Sequence, residues 1–94
     1  MPISQARIAT PLASRYLQQL CKHFAHKLPV AFDPNQGRIG FAAGHCRLQA
    51  SPDLLTLEVE AADIESLAQL EGVVARHLLR FAFREAPSVA WAPA

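Results

Sequence analysis

The chain has no apolar stretch long enough to cross a bilayer, and its amino terminus lacks the basic, apolar and small-residue order of a secretory signal. A cytoplasmic protein with no membrane role is the expectation. Cysteine is scarce: Cys21 and Cys46 alone form no disulfide framework, and in a reducing compartment both are expected as small buried thiols. The four glycines, Gly37, Gly40, Gly44 and Gly72, make no phosphate-cradling loop, and no serine or cysteine sits in a nucleophile-elbow context. Acid is almost missing from the first half, where Asp33 is the one carboxylate up to Arg47. Asp53, Glu58, Glu60, Asp63, Glu65 and Glu71 then follow with no Lys or Arg among them. Opposite halves of this kind need pairing within the chain or across a dimer. The net charge of +1 argues against the broad phosphate-neutralising surface of a nucleic-acid binder.

What is present is apolar patterning. With 51% hydrophobic and 18% charged residues in 94, the chain can form one core, in a single domain spanning residues 1–94. The longest helical periodicity runs from Asp63 to Arg84. Ile64, Leu67, Leu70, Val74, Leu78, Phe81 and Ala82 recur at three- and four-residue steps behind Asp63 as cap. A second helix is predicted from Thr10-Pro11, a capping residue followed by a proline suited to the first turn, up to Pro29. Its stripe is Leu12, Ala13, Tyr16, Leu17, Leu20, Cys21, Phe24 and Leu28.

Between the helices, Pro29–Asp33, Arg38–Ala42, His45–Ala50 and Leu54–Ala61 alternate in polarity. The residues between them carry turn chemistry: 33–37, Ala43-Gly44 and 51–53. Face alternation pairs Ala50 with Leu55, Leu48 with Leu57 and Cys46 with Val59. The other face then sets Arg47 beside Glu58 and His45 beside Glu60. The same logic sets Phe32 opposite Ile39 and Val30 opposite Phe41. Gln5–Ala9 reads as a short first strand and Ser88–Ala92 as a closing one. The expected fold is α+β, a two-layer sandwich of strand, helix, four-stranded antiparallel meander, helix and strand. Both helices lie on the apolar face, as in TATA-binding-protein-like or helix-grip-like folds. The polar face carries no aromatic platform for bases, which also argues against nucleic acid.

The runs Arg15-Tyr16-Leu17-Gln18-Gln19-Leu20-Cys21-Lys22-His23-Phe24-Ala25-His26-Lys27 and Leu70-Glu71, Val73-Val74 and His77-Leu78-Leu79-Arg80-Phe81-Ala82-Phe83-Arg84-Glu85 resemble a bacterial family, domain of unknown function 2218. The resemblance covers nearly the whole chain and departs from the family pattern at Phe24, where a tryptophan is usual. It implies a domain that accompanies or is joined to siderophore-interacting reductases and ferric-siderophore uptake systems.

Candidate chemistry gathers on the helices. His23 and His26, three apart, could share one metal such as iron or zinc, with His77 as a third ligand from the neighbouring helix; the plainer reading is three rim histidines. His45 and Cys46 point to opposite faces of a strand and make no ligand pair. Glu71, inside an apolar stripe, is either a ligand contact or base, or half of an ion pair with Lys27 or a base from the sheet. The expected ligand site joins the flank carrying Gln19, His23 and His26 to the edge of the second helix carrying His77, with Glu71 and Arg80 as further participants. Three function classes follow: a small metal- or ligand-binding domain accessory to iron and siderophore use, a homodimeric or reductase-docking interaction module, and an enzyme using Glu71 and a histidine as acid and base.

Overall fold

A computed structural model describes residues 1–94. The elements are β1 (Ile3–Ala9), α1 (Ala13–Phe24), β2 (Val30–Phe32), β3 (Gln36–Phe41), β4 (Gly44–Ser51), β5 (Leu54–Ala61), α2 (Ile64–Phe81) and β6 (Ala92–Pro93). Six antiparallel strands lie in the order β2-β3-β4-β5-β1-β6. The α+β arrangement and its element order match the expectation.

The alternation along β4 and β5 sets the layers. Cys46, Leu48, Leu55, Leu57, Val59 and Ala61 are buried together with Leu17, Leu20 and Cys21 of α1 and Val74 and Leu78 of α2. Both helices therefore cover one face. The β4–β5 register is as expected, with Leu48 opposite Leu57, Cys46 opposite Val59 and Arg47 opposite Glu58. On the open face Arg47 Nη1 lies 3.5 Å from Glu58 Oε1, and His45 Nε2 lies 3.6 Å from Glu60 Oε1. The Arg47–Glu58 pair is largely exposed and contributes at most about 1 kcal/mol, so the register depends on the apolar face.

Other details differ from the sequence expectation. Val30 pairs with Ile39 and Phe32 with Gly37, two residues from the expected match. The cause is a tighter turn: Asp33 Oδ1 accepts from the Asn35 amide at 2.8 Å and the Gln36 amide at 2.9 Å, so Gln36 and Gly37 join the strand. A slip of two preserves the faces. The next turn falls at Ala42-Ala43, and Gly44 already pairs with Phe41. The closing strand is only Ala92–Pro93, although Val89 and Trp91 do pack on the core. The β5 edge of the sheet is covered within one chain by β1, which pairs along β5 and is itself flanked by β6.

The helices are shorter than their stripes. α1 starts after Thr10, whose Oγ1 accepts from the Leu12 amide at 3.0 Å, and it ends at Phe24, where Ala25–Lys27 form turns. α2 begins as expected, with Asp63 accepting from the Ser66 amide at 2.7 Å. That bond holds the Asp63 carboxyl below its usual range. Ile64 is 71% exposed and lies outside the core, and the helix stops at Phe81, short of Arg84.

Burial pushes the Cys21 thiol up to about 11 and the Cys46 thiol to about 12, so neither is a ready nucleophile. Gly44 is required by close approach: a Cβ there would stand 2.0 Å from the Glu60 carbonyl oxygen, a backbone atom fixed in the sheet. Gly44→Ala is expected to lower stability by at least about 2 kcal/mol in urea denaturation. An unchanged midpoint would contradict the Gly44–Ala61 pairing.

Candidate functional site

The helices run antiparallel, because the start of α1 meets the end of α2. Tyr16 donates to Glu85 Oε1, and Thr10 Oγ1 donates to the same oxygen at 2.7 Å. These two bonds, Tyr16's first, keep the Glu85 carboxyl below its usual range, while burial and then Glu85 itself raise the Tyr16 phenol. Sequence reasoning missed this clasp. Its only signal was an acid just past the helix end, facing a tyrosine distant in sequence.

Toward the end of α1, against the last turns of α2, the expected histidines do meet. The His23 and His77 ring centroids are 5.0 Å apart, tilted by 43°. Phe24 lies 4.8 Å from His77, and Phe81 lies 5.9 Å from His23. His77 Nδ1 donates to the Val73 carbonyl at 2.7 Å, which fixes the ring and leaves Nε2 as its free nitrogen. His23 is exposed at the rim of the seam, and partial desolvation against its ring neighbours lowers its pKa, helped by the nearby His77, Arg80 and His26. Gln19, on the same helix, holds a buried Oε1 with no hydrogen-bond partner.

Two members of the expected site fall elsewhere. His26 is not three along a helix from His23, because α1 has already ended; it lies exposed in the following turn. Glu71 and His77 stand three residues on either side of the buried Val74, which puts them roughly 60° to either side of it, on opposite flanks of α2. Glu71 instead lines a cavity with Ile3, Ser4, Leu67 and Trp91, and neither ion pair of the structure includes it. The expected pairing with Lys27 or a sheet base does not form. No three His, Cys, Asp or Glu side chains converge as a metal site. Arg80, crowding His23 with positive charge, further disfavours a cation there.

A concavity of about 580 Å³ lies on the open face of the sheet. Its polar lining includes Gln5, Asp33, Arg38, Arg47, Gln49, Thr56 and Glu58. The register explains the arrangement: Arg38 stands directly opposite Arg47, Gln49 opposite Thr56, and Glu58 between Arg47 and Gln5. Arg47 leans on Glu58, whereas Arg38 takes part in no ion pair. Like charges directly opposite one another destabilise a sheet by a few tenths to about 1 kcal/mol. This face was expected to be polar, but its arginines were not singled out as a site.

The family model described as uncharacterized protein conserved in bacteria (DUF2218) matches residues 5–92, and the chain belongs to that family. Among solved structures, the NMR structure of PA4090 from Pseudomonas aeruginosa matches with a TM-score of 0.84 and 40% sequence identity. The match covers 100% of this chain and 98% of that chain. No curated protein matches. No helix is long and apolar enough to cross a membrane.

The seam predicts a pH dependence. His23 should titrate below its ordinary 6.5 in a histidine NMR titration. The unfolded chain then takes up the proton more readily than the folded one, so this contribution to stability is present above pH 6.5 and fades as pH falls through the lower, folded value. Arg80→Gln should raise the His23 pKa only part of the way, since desolvation, the larger cause, remains. A folded value at or above 6.5 would contradict the packing of the seam.

Proposed function

We propose that this member of the family is a small-ligand-binding domain whose binding face is the open side of the sheet, and that its ligand is a compact polar anion. The observation that carries the reading is the opposition of Arg38 and Arg47 on neighbouring strands; of the two carboxylates lining the cleft, Glu58 pairs with Arg47, and Asp33 accepts from the amides of its own turn. Guanidinium groups recognise carboxylate and phosphate oxygens with paired N–H donors, and an anion placed between the two would relieve their repulsion. Gln5, Gln49 and Thr56 add neutral donors and acceptors around that position. The volume fits the range of small-molecule clefts.

The reading favours binding over catalysis. Neither buried thiol is activated, and Glu71, expected to work with a histidine as acid and base, lies on the flank of α2 away from His77. A role accessory to iron and siderophore use stays within the proposal if the anion is an iron chelator, so citrate and ferric citrate belong among the probes.

The test is an amide NMR titration with phosphate, citrate and ferric citrate. Saturable shifts at Arg38, Arg47, Gln49 and Thr56 are expected, with Arg38→Gln weakening the affinity about tenfold or more. Shifts confined to the helices, or equal affinity in Arg38→Gln, would overturn the assignment.

A further inference from the structure

The cavity beside Glu71 has a chemistry opposite to that of the sheet face. It measures about 440 Å³ and lies between the first turns of α2 and the paired segments at the two ends of the chain. Leu67, Ile64, Ile3 and Trp91 give it apolar walls. These walls are tied together: β6 pairs with β1 at Ser4 and Gln5, and the Ala94 amide donates to the Ile3 carbonyl at 3.0 Å.

Two polar side chains break the apolar lining, to which the terminal residues Met1 and Ala94 also contribute. Ser4 is 3% exposed, and its Oγ is buried with no hydrogen-bond partner. Glu71 is half-buried and free of ion pairs. The base nearest to it along the helix, Arg76, lays its guanidinium over Gly72 instead, with Nη1 3.0 Å from where a Gly72 Cβ would stand. A buried hydroxyl and a half-buried carboxylate left without partners on an apolar wall are each costly, and both are relieved by a donor-rich cation. Trp91 adds an aromatic ring, whose face attracts ammonium groups.

We propose that the Glu71 cavity binds a small organic ammonium ion, an alkyl- or arylalkylamine, with its nitrogen on the Glu71 carboxylate and Ser4 Oγ and its hydrocarbon body against Leu67, Ile64 and Trp91. The charge defines the class. An anionic ligand would meet Glu71, and a neutral hydrocarbon would leave both polar groups unsatisfied. This site is independent of the sheet face, since its lining shares no residue with the arginine cleft.

Trp91 is the only tryptophan, so its fluorescence reports on this cavity alone. The full chain is titrated with phenethylamine and, in parallel, with 2-phenylethanol, which keeps the body and removes the charge. Saturable fluorescence change with the amine is expected, at an affinity at least about tenfold above that of the alcohol. Glu71→Gln should reduce amine affinity by about the same factor and leave the alcohol unaffected, with circular dichroism confirming its fold. Equal affinities for amine and alcohol in the unmodified chain, absence of saturation, or undiminished amine binding by Glu71→Gln would each overturn the proposal. The alcohol comparison needs no variant, so a folding defect in Glu71→Gln would not rescue it.

Discussion

Burial of one face of the β4–β5 ladder is the constraint on which the rest of this structure depends. Leu48 against Leu57 and Cys46 against Val59 form an apolar strip that is fully buried or nearly so, and the helices exist largely to cover it. A slip of one residue would turn that strip to water and bring Arg47 and Glu58 into the core, at a cost far beyond any surface ion pair. Covering one face leaves the other free. The arginines, glutamines and carboxylates on the open side are therefore not consumed by folding, and that makes them available for recognition.

The same constraint explains which parts of the fold were legible in the sequence. Strict alternation in β4 and β5 determined their register without help from the turn, because only one register hides every apolar side chain. β2 is three residues long and partly exposed, so burial discriminates weakly there, and the Asp33 side-chain bonds that set its turn have no hydrophobic signature. Helix ends were blurred for a similar reason: Leu12 and Leu28 continue the helical period of α1 but lie outside the helix, as Ala82 does for α2.

The candidate sites divide along this line too. His23 and His77 could be brought together on paper because antiparallel helices on one sheet must share a seam. Glu71 was assigned to the wrong flank because membership of a stripe does not tell one edge from the other. The Arg38–Arg47 opposition was hidden by one residue of turn placement, which moves the register by two: a turn at Ala43-Gly44 would set Arg38 against Gln49, while the observed Ala42-Ala43 turn sets it against Arg47. The lone Ser4 hydroxyl left no trace, since an exposed serine and a buried, unpartnered one look alike in sequence.

Binding surfaces commonly hold arrangements that weaken the empty fold, because groups placed for a ligand are not placed for each other. Two guanidinium groups facing across a strand pair, one of them without a carboxylate, fit that description. The most direct measurement is urea denaturation of the chain and of Arg38→Gln, each with and without a multivalent anion such as citrate at constant ionic strength. The account predicts that Arg38→Gln is slightly more stable than the parent without citrate, by a few tenths to about 1 kcal/mol, and gains little when citrate is added, whereas the parent is clearly stabilised. A loss of stability in Arg38→Gln without citrate, together with equal citrate stabilisation of both proteins, would contradict it.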